Sequence, residues 1–436
     1  MVPLNTSALI FLLISIALLL ILPRRWAPLP FLVGACYMTY GQGIVLGSFH
    51  FTIIRLLVAA GIVRVALRGE RMAGGMNSLD WLMIAWAAWA MISLAFQNDS
   101  SNELNSRFGL VYNTCGIYFL MRCFCQTQDD LLGLVCITAI LLSPLAVEMI
   151  YERMKGYNLF SFFGGVSEIP MFRSGGFRAQ GPFAHPILAG TVGAVCLPLM
   201  IGIWKQDRIF AVLGIAACLA MIYCSGSSGP LSSALAGIVA LFFWRLRHQM
   251  RLVRWLAVLS YIMLDLVMKA PAYYIIARMD MGAGGTGWHR ARLIESAFEH
   301  LREWWWAGTN YTLHWMPTGV SWSPNHTDIT NHYIKMGVLG GLPLMILFII
   351  ILAKGFSYVG HTLKNVDDQN TVFQFFLWTL GVSLFAHVAT MISVSYFDQS
   401  FVFLYLVLAV IGSLWSVTMK SQIADMPTTE LSLLEK

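Results

Sequence analysis

The sequence predicts an all-α fold, a polytopic transmembrane helical bundle of about 12–13 spans with two long, partly helical loops on its outer side. Three observations predict it. Of 436 residues, 58% are hydrophobic and only 11% are charged, against about 25% charged in a soluble domain. No soluble core buries that much apolar surface, so lipid is the solvent for most of the chain. Apolar runs of about 20 residues recur, each long enough to cross a bilayer. Finally, Lys and Arg alternate between successive short connections, as cytoplasmic and outer loops do. The whole chain, 1–436, reads as a single integral membrane domain.

The candidate spans are 7–22, 29–46, 50–67, 79–96, 108–124, 131–150, 186–204, 209–224, 229–244, 253–272, 333–353, 371–393 and 399–417. The first has no preceding Lys or Arg and no small-residue cleavage site, and is expected to be a span and not a removed signal peptide. The second is interrupted by Gly41-Gln42-Gly43, which leaves the count at twelve or thirteen. Cys36, Cys115, Cys123, Cys125, Cys136, Cys196, Cys218 and Cys224 all lie in or at the ends of apolar runs, outside the long loops. They read as small buried hydrophobes, with neither a disulfide framework nor a zinc knuckle.

Arg24 and Arg25 follow the first span, Arg68 and Arg71 the third, Arg122 the fifth, and Lys205 and Arg208 the seventh. Arg245, Arg247, Arg251 and Arg254 follow the ninth, Lys354 and Lys364 the eleventh, and Lys420 the last. The intervening connections are nearly bare, with Arg107 the exception. Odd-numbered spans therefore end in the cytoplasm, and the connections 151–185 and 273–332 fall outside. Both hold basic residues that the charge rule does not require, so those residues need a partner.

The first loop contains Arg173 and the segment Phe177-Arg178-Ala179-Gln180-Gly181-Pro182-Phe183-Ala184-His185-Pro186. Glycines admit close approach and an Arg fork matches phosphate oxygens, although an Arg can equally close a loop onto carbonyls. In the second loop Leu293, Ala297, Leu301 and Trp304 form an apolar stripe, with Ile294, Phe298 and Trp305 beside it. Arg292, Glu295, Glu299 and Arg302 stand three or four apart as a solvated ion-pair face. Arg290 instead has Leu293 and Ile294 at those positions and follows Gly284-Gly285-Thr286-Gly287 near a helix start, where an anion would offset its charge. Trp304-Trp305-Trp306 reads as an interfacial belt.

The loop closes on Asn325-His326-Thr327-Asp328-Ile329-Thr330-Asn331-His332. The six-residue spacing of His326 and His332 does not suit zinc, and no metal is expected. His326 suits proton transfer, with Asp328 near enough to orient it, and a hydrogen-bonded loop His is the alternative. His332, directly before an apolar run, reads as a cap of that span. Within the spans, Arg64 reads as structural and Arg55, near an outer end, as a candidate for an anionic lipid head. Asp265 and Lys269 read as a local pair, and His387 as a buried hydrogen-bonding residue.

In three pieces the chain resembles the O-antigen ligase and O-antigen polymerase superfamily, over residues 30–417. The Phe177–Pro186 segment is similar to that family's Arg-Gly-Phe-(Asn/His)-Pro element before a span. Trp288-His289-Arg290, leading to Trp304-Trp305-Trp306-Ala307-Gly308-Thr309, is similar to its Arg, helix and terminal Gly. His326 with the later Gly337-Val338-Leu339-Gly340-Gly341 is similar to its His-Asn and Gly-x-x-Gly, with Thr327 in place of the Asn and Lys335 where Glu is usual.

The resemblance implies a metal-independent, cofactor-free glycosyltransferase of the bacterial inner membrane. It would pass a glycan from an undecaprenyl-diphosphate carrier to an acceptor hydroxyl, with inversion. Arg178 and Arg290 would hold the diphosphate, His326 would activate the acceptor, and Arg173, Arg55, His185, Arg292, Asp328 and His332 would line the substrate site. Polymerisation of an exported polysaccharide or O-antigen is the favoured reaction, with chain-length or export proteins as partners. Ligation to lipid A core and protein O-oligosaccharyl transfer are the other acceptor choices, and a flippase for the same lipid-linked glycan is the alternative of another class. Membrane lipids are expected partners and nucleic acid is not.

Overall fold

The computed structural model describes residues 2–47, 49–97, 101–173, 175–278, 286–320, 323–366 and 369–425. It is 74% helical with almost no sheet, so the chain is an all-α membrane protein. Among the described residues, six helices are long and apolar enough to cross a membrane, and Thr6–Ile21 and Pro186–Gly202 are shorter apolar helices.

The first half comprises α1 (Thr6–Ile21), α2 (Pro28–Tyr37), α3 (Ile53–Arg68), α4 (Ser78–Ile92), α5 (Ser101–Phe124) and α6 (Gln128–Lys155). Next come α7 (Pro186–Gly202), α8 (Arg208–Ser225), α9 (Ser228–Phe242) and α10 (Met250–Val267). The large loop holds α11 (Ile275–Arg278), α12 (Thr286–Glu299) and α13 (Leu301–Trp304). The chain ends with α14 (His332–Asn365), α15 (Thr371–Met391) and α16 (Phe401–Asp425). Among the described residues, seven short strands pair as β1 (Val2–Pro3), β2 (Gln42–Leu46) and β3 (Phe49–Thr52), as β4 (Met171–Arg173) with β5 (Gly176–Arg178), and as β6 (Gly319–Val320) with β7 (Ser323–Thr327).

Local chemistry sets the boundaries. Asn77 with Asp80 and Thr127 with Asp130 form capping boxes that start α4 and α6, and left-handed Gly156 ends α6. The first long loop thus opens at Gly156, a turn later than the apolar run suggests. The second candidate span is shortened more. Only Pro28–Tyr37 is helical, and Gln42–Leu46 pairs in register with Phe49–Thr52. The 253–272 run becomes α10, none of whose residues is buried against protein.

α7 is the central helix, packed against α8, α9 and α15, while α16 lies against α5 and α14. At one end of the bundle Arg122 pairs with Asp80 at 3.0 Å, both side chains fully buried, and also reaches the Ala73 carbonyl and the Ser413 hydroxyl. Arg24 pairs with Asp130, and Arg64 pairs with Glu70 while donating to carbonyls of α1. Arg64 is therefore structural, held inside the protein. Both long loops occupy the opposite end: in the first, Asn5 and Gln42 donate to the Phe163 carbonyl and Ala184 to Asp398, and where the second ends, Tyr396 donates to His332.

The expected Asp265–Lys269 pair is not formed. Asp265 accepts the Ala272 N–H at 2.8 Å, because the chain turns after α10 and brings that donor closer than the lysine. His387 does hydrogen-bond, through Nδ1 to the Tyr396 hydroxyl at 2.7 Å.

Candidate functional site

The first loop is folded by two carboxylates that the sequence reading passed over. Glu152 accepts the N–H groups of Gln180 and Gly181 (the latter at 2.8 Å) and the Asn158 amide. Glu148, one turn earlier, accepts the Leu159 N–H at 3.1 Å. Each takes backbone donors that the irregular loop would otherwise bury unpaired. Their signal was present as Glu148 and Glu152 four apart at a span end, an expensive place for two acids.

This scaffold presents Arg178 at the end of β5, only 6% exposed. Its Nε donates to the Ser225 carbonyl at 3.1 Å, Nη2 to the Ser227 hydroxyl at 2.6 Å, and Nη1 faces the Met171 sulfur at 3.7 Å. Loop closure onto a carbonyl is thus realised on one edge, while the other edge meets only a hydroxyl and a thioether. Burial and then the Arg173 charge push the Arg178 pKa below the ordinary arginine value. His185 caps α7, its Nδ1 accepting the Ile187 N–H at 3.1 Å. Burial first, then Arg178 and Arg173, pull its pKa down to about 4. Arg153 stands behind them, donating to the Phe177 and Cys224 carbonyls. Among the described residues, no Asp or Glu forms an ion pair with Arg153, Arg173 or Arg178. A buried guanidinium without a carboxylate is costly unless an anion offsets it.

Arg55 sits at the start of α3, donating to the Asn113 side chain at 3.0 Å and to the His50 carbonyl. Gly109 makes room for it, since a Cβ there would overlap the guanidinium. Beside it, between α3 and α5, runs an apolar groove of about 410 Å³ lined by Ile62, Val65, Phe108, Tyr112, Phe119 and Cys123 among others.

In the large loop Leu293, Ala297 and Trp304 are buried with Trp315, Ile334 and Val338, so the apolar stripe forms a small second core. Phe298 and Trp305, expected beside it, are exposed. Arg292 is held by Glu295 at 2.5 Å and Glu299 at 3.1 Å, as its spacing predicts, whereas Arg302 stands exposed. Arg290, half-buried on the same helix, precedes this pair. Gly284 and Gly285 lie outside the described residues. Two of the three tryptophans also dock the loop. Trp304 Nε1 binds the Ala297 carbonyl and Trp306 stacks edge-on against Trp89 and Phe96.

His326 lies in β7 with Nδ1 2.8 Å from the Ser323 hydroxyl. Ser323, not Asp328, sits on that nitrogen, and the Asp328 carbonyl meets His289 Nε2 at 3.2 Å. The cap of α14 is Asn331, which accepts from Tyr333 and Ile334. His332, expected in that role, is instead buried, its Nδ1 accepting the Tyr396 N–H. Asn331, itself extended, already supplies the cap oxygen from its side chain, and His332 takes the first position of the helix, turned inward.

The structure thus gathers Arg173, Arg178 and His185 into one cluster and places Arg55 beside a separate groove. His326, Asp328 and His332 lie along the segment leading into α14. No protein-family model matches the chain, and no curated protein matches it.

Proposed function

We propose that the chain is a membrane glycosyltransferase of the O-antigen ligase and polymerase type, acting at the periplasmic face of the bacterial inner membrane. In this reading the bundle has twelve or thirteen crossings and both long loops are periplasmic. It moves a glycan from an undecaprenyl-diphosphate carrier to an acceptor hydroxyl, with polymerisation of an exported polysaccharide as the preferred outcome. The observation that carries the reading is the buried Arg178 beside Arg173 and His185, without a carboxylate among the described residues to neutralise them. A diphosphate supplies the missing charge, and charge-assisted hydrogen bonds to it are about twice as strong as neutral ones. The groove beside Arg55 has the apolar lining a prenyl tail needs.

The acceptor oxygen attacks the sugar carbon as the bond to the diphosphate breaks, and undecaprenyl diphosphate leaves with that electron pair. Arg178 and Arg290 stabilise the charge that develops on it. His326, whose Nδ1 lies 2.8 Å from the Ser323 hydroxyl, takes the acceptor proton. The test is polymer formation by purified protein supplied with undecaprenyl-diphosphate-linked oligosaccharide. His326→Ala is expected to lose about a hundredfold or more in rate while still binding donor. Arg178→Lys and Arg290→Lys lose most activity because Lys lacks the planar fork, and Arg292→Lys is milder. Full activity in both His326→Ala and Arg178→Lys overturns the reading. Donor crossing vesicles with no new glycosidic bond identifies a transporter instead.

A further inference from the structure

A second constellation lies in the large loop and plays no part in glycan transfer as proposed above. His300, Glu303 and His314 each offer a ligand atom, and these atoms all lie within 4.8 Å of one another. We propose that His300, Glu303 and His314 form a divalent transition-metal site of the zinc class, which clips the end of α12 and α13 to the turn at 313–315.

The donor set fits. Two imidazole nitrogens and one carboxylate oxygen make a set that zinc takes with one open position. Four-coordinate zinc places its ligands about 3.4 Å apart, given Zn–N and Zn–O distances near 2.1 Å. His314 Nε2 is already 2.9 and 3.1 Å from the two Glu303 oxygens. The His300 and His314 rings meet edge-to-face with centroids 4.8 Å apart, so small side-chain rotations close the triad.

The surroundings orient the ligands. His300 Nδ1 lies 2.9 Å from the Ser296 carbonyl, which accepts its proton and leaves Nε2 for the metal. Trp315 Nε1 donates to Glu303 Oε2 at 3.1 Å, fixing the carboxylate and leaving Oε1 as ligand. Trp315 stacks on His300 and Tyr311 on His314, so each ring has an aromatic wall. An exposed His–Glu pair alone contributes at most about 1 kcal/mol and needs no such frame. Side-chain exposures of 36% for His314 and 38% for Glu303 leave the fourth position to water.

The clip has a consequence for β7. Thr312 N–H donates to the Asn325 carbonyl, and Thr327 N–H to Thr312 Oγ1. Fixing His314 therefore fixes the turn on which the strand carrying His326 is hung.

The experiment is Zn(II) titration of chelator-treated, full-length protein in detergent, followed by calorimetry and by thermal melting. Wild type binds one Zn(II) and melts higher with it. His300→Ala and His314→Ala lose roughly tenfold or more in affinity. Glu303→Gln keeps an oxygen for Trp315, so it folds, yet it loses the affinity and the thermal shift. His289→Ala and His326→Ala retain both. Absence of Zn(II) binding by wild type overturns the proposal, as does unchanged affinity in Glu303→Gln and His314→Ala.

Discussion

Replacing Gly341 with alanine should release the large loop from α14. Gly341 has φ 75° and ψ −177°, a conformation reserved for glycine, and a Cβ there would overlap the Trp306 carbonyl. Forcing a side chain into that backbone costs about 1–3 kcal/mol. Crowding the Trp306 peptide costs a further 1–3 kcal/mol or so. Two bonds dock the segment here, Leu342 N–H to the Trp305 carbonyl at 2.7 Å and Thr309 N–H to the Val338 carbonyl at 2.9 Å. At about 1 kcal/mol each they offset the lower end of the penalty but not the upper. The assay is amide exchange at Thr309 and Leu342 by mass spectrometry. A penalty of about 2–6 kcal/mol corresponds to exchange roughly thirty-fold to twenty-thousand-fold faster. Gly360→Ala is the control, since a Cβ there meets open space, and it should be neutral or stabilising by up to about 1 kcal/mol. Unchanged exchange at Thr309 and Leu342 in Gly341→Ala refutes the reasoning.

Thr318→Cys, at an exposed loop position, should react with a membrane-impermeant thiol reagent in cells whose outer membrane is permeabilised. Labelling that requires lysis of the inner membrane would place the large loop in the cytoplasm and end the proposed mechanism; Ser174, the natural companion site, lies outside the described residues. Glu152→Gln turns one acceptor into a donor facing the Gln180 and Gly181 amides, and should cost about 1.5–3 kcal/mol of loop order, read as faster proteolysis at 156–185. Asp80→Ala leaves Arg122 buried and unpaired, and should lower stability by about 3–5 kcal/mol in detergent melting, whereas unchanged melting would mean solvent reaches that pair. As pH falls from about 6.5 to about 4, the folded state should lose stability through His185, because burial and two arginines keep its folded pKa at about 4 while the unfolded chain already binds a proton. Pyrophosphate should lessen that loss, and a His185→Gln melt with the same pH profile as wild type would refute it.

The helical architecture was legible because lipid leaves a chain few options. Apolar length forces a helix, and Arg24, Arg64 and Arg122 mark one end. Arg292 was equally plain, since its carboxylates lie three and seven residues along one helix. The rest depends on contacts between distant segments. Nothing near His314 in sequence announces His300, because a turn at 305–312 folds one back onto the other. Asp328 is two residues from His326, so adjacency suggested it as the orienting group, yet β7 ends at Thr327 and the Asp328 carbonyl turns to His289. Ser323, three residues before it in the same short strand, reaches the imidazole instead. The second candidate span carries a shorter helix than expected for a similar reason. Hydropathy does not distinguish ten helical residues followed by a hairpin strand from an unbroken helix.

Two loops remote in sequence can serve one reaction only if something fixes them relative to each other, and the connection between α15 and α16 does this. Asp398 accepts the Ala184 N–H at 3.0 Å, and Gln399 donates to the Pro182 carbonyl, so this connection holds the segment that follows Arg178. Two residues earlier, Tyr396 gives its N–H to His332 and its carbonyl to Lys335. Asn331 reaches the Ile392 carbonyl. The same few residues thus grip the first loop on one side and the entry to α14 on the other. Burial drives the Asp398 pKa up, and the N–H groups of Ser400 and Ala184 oppose that rise, so the acid is tolerated because it is used as an anchor. This accounts for Lys335 at a position where the resembling family favours Glu. The site there is already filled by a carbonyl acceptor, and a cation satisfies it where a carboxylate would repel it. The relative placement of the two loops is therefore set by the connection between α15 and α16, which holds both at once.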